Sequence, residues 1–503
     1  MGRSGGAVDV LVVGAGPTGL ALAAQAHRHG ASVRIVDRAP DQVHESRALA
    51  VQPRTLEVLR GTGVSDRLVA RGNDGIRLVL HGARRTARLP LFDAGVDDTA
   101  YPFVLFVSQA ETESALADHL AVLGVRVERG VELTRLEQHG DVVRAGLDGR
   151  DGRADALARF VVGCDGSRST VRQLAGIPFR GKAYPQAFVL ADVEVDGPLE
   201  QGAVHTWFTS MGLMFLFPLG SPATWRLITT RGRPEEAPTE PVGLEGLQRS
   251  VDQVTGSTLR LRDPVWLSDF RVSCRQAARY RAGRVLLAGD AAHVHSPAGG
   301  QGMNTGIQDA WNLGWKLALV ARGIAPDSLL DSYESERLPV GRDVLRLTDR
   351  LFTVATSPRV AWARTRVVPR VAPLVMRLPV RSAGFRRVGQ LSVGYRGSPA
   401  VAPPERRRGL GPGDRLPDAP VTVAGMRTRL HDLVGGPGFH VLVLGDSSAP
   451  RANRAYVSVH WVARPPRALA RADRYVVVRP DGYVGALTAR AAGVEQYLTR
   501  FGS

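Results

Sequence analysis

Cysteine is almost absent from this chain. Cys164 and Cys274 are the only two among 503 residues, and neither stands at a metal-binding or dithiol spacing. That excludes cysteine-based metal and thiol redox chemistry and fits a reducing cytosol. Lysine is equally scarce: Lys182 and Lys316 stand alone, so the net charge of +17 is carried almost wholly by arginine. The basic residues are scattered. Their densest cluster, Arg406 to Arg408, lies in a Pro/Gly-rich stretch that reads as a solvated linker rather than a nucleic-acid face. No apolar run reaches the roughly 18 residues of a spanning helix. The N-terminus lacks an apolar signal core and has Gly6 where a myristoylation motif needs Ser or Thr. A soluble, cytoplasmic protein without membrane insertion is expected. His293 and His295 have no further ligand-type residues nearby, so no metal is expected.

Glycine, by contrast, is abundant and ordered. The run Val10 to Val13 reads as a buried strand and enters Gly14, Gly16 and Gly19 at G-x-G-x-x-G spacing, with Pro17 and Thr18 between. Helical periodicity follows from Leu20 to Arg28. Gly14 permits the turn, Gly16 allows backbone to approach a pyrophosphate, and Gly19 allows helix and strand to pack closely. After a second apolar strand, Val33 to Val36, Asp37 stands 18 residues beyond Gly19, placed to accept from ribose hydroxyls. Two more strand ends carry the same punctuation. Arg159 to Gly163 runs into Asp165-Gly166, and Arg284 to Ala288 runs into Gly289-Asp290, ahead of a glycine-rich loop and the helix that carries Ile307, Ala310 and Leu313. Between these corners, strands over 188–230 gather Trp207, Met211, Met214, Phe215, Phe217 and Trp225. They read either as the wall of a pocket for a flat apolar ligand or as an ordinary sheet core.

Three glycine-marked strand ends in this order are far more specific than any one of them. The chain resembles the class A flavoprotein monooxygenases, the para-hydroxybenzoate-hydroxylase-like aromatic hydroxylases, over roughly residues 8–395. Within them it is most similar to actinobacterial hydroxylases of aromatic polyketides and their phenol- and rifamycin-modifying relatives. The resemblance implies an α/β fold: a Rossmann-like FAD-binding domain, an inserted β-sheet substrate domain, a helical segment and a C-terminal thioredoxin-like domain. Its implied boundaries are 1–75, 107–180 and 276–395 for the FAD domain and 76–106 and 181–275 for the substrate sheet. A linker at 396–415 and a last domain over 416–503, which has no Cys-x-x-Cys, complete the chain.

The resemblance also implies non-covalent FAD, with NAD(P)H and O2 as co-substrates. Gly14, Gly16, Pro17, Thr18 and Gly19 would lie under the pyrophosphate and Asp37, followed by Arg38, at the ribose. Arg47 and Gln109 would stand near the diphosphate and ribityl chain, with Asp165, Gly166, Gly289 and Asp290 around the cofactor. Pro297, Gly300, Gly302, Met303 and Asn304 would lie beside the isoalloxazine ring. The implied reaction is hydroxylation of a phenolic, polycyclic polyketide-type substrate through a C4a-hydroperoxyflavin. Baeyer–Villiger oxygenation by the same flavin, a flavin dehydrogenase or reductase, and a non-catalytic flavin-containing binder stay open. His205 and His293 are the candidate phenol bases, each also readable as a structural histidine. The expected partner is a small aromatic molecule, and a homodimer is admitted.

Overall fold

The protein is described by a computed structural model over residues 7–42, 48–82, 86–90, 95–208, 213–219, 224–231, 243–296, 299–356, 361–367, 370–371, 380–404, 409–445, 447–448, 450, 454–470, 472 and 474–502. Arg47, Met211, Pro297 and the Arg406–Arg408 cluster lie outside these residues.

The strand Val8–Val13 lies at the centre of a parallel sheet. It is flanked by Val33–Asp37 on one side and Gly152–Gly163 on the other, with Val285–Leu287 beyond. Its run Val10, Leu11 and Val12 is fully buried, as expected for a parallel strand covered on both faces. The three glycine corners therefore leave neighbouring strands at the same edge of one sheet, the edge where open α/β sheets bind ligands.

Two helices cover this sheet. The first, Pro17–Arg28, begins on a proline whose ring suits an N-terminal turn, and it buries an alanine-rich face. The second, Gly302–Ala321, is buried continuously from Asn304 to Ala321, so it is a core helix rather than an amphipathic surface one. The two approach so closely that a Cβ at Gly314 would stand 2.8 Å from the Gln25 Cβ.

The second sheet hangs from two 18-residue antiparallel strands, Phe179–Asp196 and Arg260–Ala277. Trp225–Arg231, Leu213–Pro218, Ala203–Phe208, Arg77–His81 and Thr86–Pro90 extend it on one side, and the short His293–Val294 pairs at the other edge. The helix Leu244–Thr255 covers one face through Leu247 and Val251. Leu244, Leu247, Val251 and Val254 form an apolar stripe at helical spacing on it, a signal that a reading of 180–275 as strands alone passes over.

A smaller mixed sheet forms the C-terminal domain, from Phe439–Leu444, Val457–Val462, Tyr475–Val478 and Val484–Thr488, with the helix Ala491–Leu498. Arg406–Arg408, on which the solvated-linker reading rests, lie outside the described residues, and the described part of the stretch leading to this domain is partly packed. Tyr395, Ala400, Val401, Arg415, Leu416 and Asp418 are all buried. Arg415 donates to Glu57 of the first domain at 2.9 Å and to Asp98 at 2.6 Å. Composition alone does not distinguish a packed Pro/Gly-rich segment from a free one.

Histidines gather where the first helix meets the C-terminal domain. His29 donates through Nδ1 to the Gln25 carbonyl at 2.8 Å and accepts from the Gly438 amide at 3.2 Å. His440 contacts His460 at 3.0 Å. Burial pushes His29 down to about 3 and His440 down to about 4. Both rings therefore bind a proton more weakly in the fold than in the unfolded chain. Their stabilisation is complete above pH 6.5, the ordinary value, and is lost progressively as pH falls from there toward 4. Each ring contributes at most about 1.4 kcal/mol per pH unit. The melting temperature is expected to drop between pH 7 and pH 5, and to drop less in the His29→Gln/His440→Gln double variant. Parallel profiles for the two proteins would contradict this.

Candidate active site

The first corner is built by close approach. Gly14 has φ of +101°, and a Cβ there would stand 2.4 Å from the Cys164 carbonyl oxygen. At Gly19 a Cβ would lie 1.9 Å from the Gly14 oxygen. Gly16 differs: its φ is −74°, and a Cβ would meet nothing within 4 Å. It faces open space at the head of Pro17–Arg28, where the first amides have no side-chain cap.

The other two corners converge on the first. Gly14 packs directly on Cys164 and Asp165. Thr18 fills the space a Cβ would take at both Gly289 and Gly306, with its Oγ1 2.5 and 2.3 Å from those positions. Asp165 accepts the Val171 amide on Oδ2 at 3.1 Å, and its Oδ1 is buried without a partner among the described residues. Burial raises its pKa. Asp290 is exposed beside Gly289. Asp37 accepts the Ala15 amide at 2.6 Å and the Ala39 amide at 2.8 Å, so it braces the turn itself, while Arg38 is exposed. Gln109 accepts the Ala48 amide at 3.3 Å and donates to Glu113 at 2.8 Å.

The head of the core helix closes the group. Asn304 accepts the Gln52 amide at 2.8 Å and donates to the carbonyls of Ala50 and Gly300, both at 2.8 Å. Its side chain is thereby committed to shaping the loop. Gly302 and Met303 are half-buried, and the first-turn amides carry the positive end of a 20-residue helix.

His295, unmarked except as half of a metal pair, lies beside them. Its Nδ1 donates to the Ser296 carbonyl at 2.9 Å, and its Nε2 is buried without a partner among the described residues, 3.9 Å from the Cβ position of Gly302. Burial pushes it down to about 4, so the ring is neutral and Nε2 is a bare acceptor. His293 turns the other way: it is buried, with Nε2 2.6 Å from Asp309 Oδ2.

Strand alternation divides the aromatic residues of the second sheet. Trp207, Met214 and Trp225 share one face with Leu216 and Leu227 and pack under the helix Leu244–Thr255. His205 is on that face too, 2.9 Å from His81 and 3.0 Å from the Glu200 carbonyl. The opposite face carries Phe215 and Phe217, with ring centroids 5.7 Å apart. Phe217 stacks at 6.2 Å on Phe106, whose strand partner Ala50 has its Cβ 3.3 Å from where a Cβ on Gly300 would stand. Phe217, through Phe106, therefore lies on the side toward the Gly300 loop with Phe215 beside it, whereas Trp207, Met214 and Trp225 are core. Composition marked the cluster, and only register separates its two sides.

The same face holds a fixed cation. Arg226, paired with Phe217 across the ladder, donates through Nε and Nη2 to Asp192, both at 2.6 Å, and its Nη1 is buried without a partner among the described residues. The Thr206 hydroxyl, opposite Phe215, is likewise buried and unpartnered. Among the described residues there is no group of three or more metal-ligating side chains and no helix long and apolar enough to cross a membrane.

Three converging strand ends, an open Gly16 and an uncapped helix above them define a dinucleotide-binding flavoprotein fold with an aromatic-faced sheet beside it. The comparisons agree. Residues 7–348 match the FAD binding domain family and residues 410–502 the aromatic-ring hydroxylase C-terminal family. The chain belongs to the FAD-dependent aromatic-ring hydroxylases, as a monooxygenase that uses FAD, O2 and a reduced nicotinamide.

It is 44% identical over 371 residues to 6-methylpretetramide 4-monooxygenase of Streptomyces rimosus, covering 73% of this chain and 64% of that one. It is 34% identical to 12-dehydrotetracycline 5-monooxygenase/anhydrotetracycline 6-monooxygenase of the same species, over 97% of this chain and 96% of that one. Among solved structures, an aromatic hydroxylase from angucycline biosynthesis matches with TM-score 0.82 and 33% identity, over 98% of this chain and 99% of that one.

Proposed function

We propose that this enzyme hydroxylates a polycyclic phenolic substrate of the aromatic-polyketide type, bound between the Phe215–Phe217 face and the head of the core helix. The observation that carries this reading is the stack of Phe217 on Phe106, which brings the aromatic face to the edge of the Gly300 loop. The tetracycline-type relatives support the ring system.

The chain's residues fit FAD: Gly16 leaves room, Asp165 Oδ1 lacks a partner, and two helix N-termini face the same corner. In this reading the cofactor is held by Gly14 to Gly19, Asp37, Gln109, Asp165, Gly166, Gly289 and Asp290, with Gly302, Met303 and Asn304 at the ring. These segments belong to a discontinuous cofactor domain over 1–75, 107–180 and 276–395. FAD held there would supply the redox chemistry by which NAD(P)H and O2 give one oxygen atom to the substrate and the other to water.

The residues around it orient and desolvate. The amides of 302–304, at the positive end of the core helix, would stabilise negative charge on a bound flavin. Phe215 and Phe217 exclude water and hold the substrate flat. Arg226 Nη1 and the Thr206 hydroxyl offer donors to its oxygens, and neutral His295 Nε2 can accept a hydrogen bond from a phenol. His293 and His205 make their hydrogen bonds elsewhere and are assigned no role at the phenol. The two buried, unpaired cysteines support a reducing cytoplasmic setting.

The test is NAD(P)H oxidation by the FAD-loaded enzyme with 6-methylpretetramide and anhydrotetracycline under 18O2. Stimulated oxidation with one labelled oxygen in the product is expected, and unlabelled product or no stimulation would overturn the reading. Phe215→Ala is expected to raise KM for such a substrate about tenfold, the equivalent of 1.4 kcal/mol, and to leave FAD affinity unchanged. An unchanged KM, or weakened FAD binding, would contradict the assignment of Phe215.

A further inference from the structure

The Gly289 corner is joined to the C-terminal domain by a continuous buried chain of contacts. The Gly289 amide donates to Asp309 Oδ2 at 3.1 Å, and Asp309 Oδ1 accepts from Arg337 Nε at 2.6 Å. Arg337 Nη1 donates to the Tyr395 hydroxyl at 3.0 Å, and Nη2 to the Thr305 carbonyl at 3.1 Å. The Tyr395 ring lies 4.2 Å from that of Tyr483, which sits in the hairpin between Tyr475–Val478 and Val484–Thr488. Arg54 of the first domain caps Tyr483 at 4.7 Å, and Arg479 stands 5.4 Å from the Tyr395 ring. Asp309, Arg337, Tyr395 and Tyr483 are all buried.

This joint is also where packing is incomplete. A cavity of about 10 Å³, room for one water, is lined by Arg54, Gln308, Asn312, Tyr395, Asp481 and Tyr483, among others. Gln308 Oε1, Arg54 Nε and the Tyr483 hydroxyl are buried without a partner among the described residues.

We propose that the C-terminal domain positions the FAD corner: Tyr483 and Arg479 fix the Tyr395 ring, whose hydroxyl orients Arg337 and, through Asp309, the Gly289 amide and the turn to Asp290. The planar guanidinium transmits direction as well as charge. Its Nε, Nη1 and Nη2 each have one acceptor, so removing one leaves a buried donor unpaired and lets the fork rotate away from Asp309. Tyr395 and Tyr483 are thus positioning residues, and a domain without a Cys-x-x-Cys acquires a role in cofactor binding.

The inference rests on the proposed cofactor site, and the experiment separates the two. The full-length apoprotein, Tyr395→Phe and Tyr483→Leu are titrated with FAD by flavin fluorescence, and visible circular dichroism is recorded on the loaded proteins. Tyr395→Phe removes one oxygen and keeps the ring. It is expected to weaken FAD binding roughly tenfold and to change the flavin dichroism. Tyr483→Leu, in the other domain, is expected to act in the same direction, with the double variant no weaker than the worse single. Wild-type FAD affinity and dichroism in both variants overturn the relay, as does lower apoprotein stability with unchanged affinity. A wild-type chain that binds no FAD overturns the cofactor site itself, and the relay with it.

Discussion

Glu336→Gln is expected to lower the unfolding free energy by about 3–5 kcal/mol, the usual cost of removing one partner from a buried ion pair. Glu336 lies on the helix Asp331–Thr356 and accepts from Lys316 Nζ at 2.7 Å, from Arg479 at 2.6 and 2.8 Å and from Asn312 at 2.6 Å. All three charged side chains are fully buried. Arg479 and Lys316 hold the Glu336 carboxyl well below the usual range, while burial pushes Lys316 down to about 8. Without the carboxylate Lys316 can shed its proton, but Arg479 cannot and is left with Asp481 alone. Urea unfolding measures the loss. A change under 1 kcal/mol would mean that this cluster does not join the two domains as described.

Gly16→Val is expected to weaken FAD binding at least a hundredfold while the apoprotein keeps its fold. The backbone at Gly16 is extended and a Cβ there meets no protein atom within 4 Å, so the chain itself has no need of glycine. What needs it is the ligand, which must approach that backbone closely. Gly14 and Gly19 are the controls in the opposite sense. Their added Cβ atoms would stand 2.4 and 1.9 Å from backbone oxygens, so Gly14→Ala and Gly19→Ala are expected to fail as proteins rather than as binders. FAD titration with far-UV circular dichroism separates the two behaviours. A Gly16→Val protein that is folded and binds FAD normally would show that the open space is not the cofactor's.

Legibility in the sequence followed physical locality. The glycine corners could be read because each is a strand, a turn and a helix within some twenty residues, and their order along the chain was specific. Their convergence could be expected only through family resemblance, since it depends on which strands lie side by side. The aromatic cluster was visible in composition, yet Trp207, Met214 and Trp225 part from Phe215 and Phe217 by register alone. His295 was hidden because nothing local distinguishes a satisfied histidine from one with a bare buried nitrogen. The Tyr395 joint was invisible for a different reason: Asp309, Arg337, Tyr395 and Tyr483 are brought together by tertiary packing and share no motif.

The most direct measurement is the crystal structure of the chain grown with FAD. One molecule is expected, with its pyrophosphate against Gly16, its length passing Asp165 and Asp290, and its ring at residues 302–304, open toward Phe215 and Phe217. FAD bound elsewhere, or the three corners surrounding different ligands, would contradict the account.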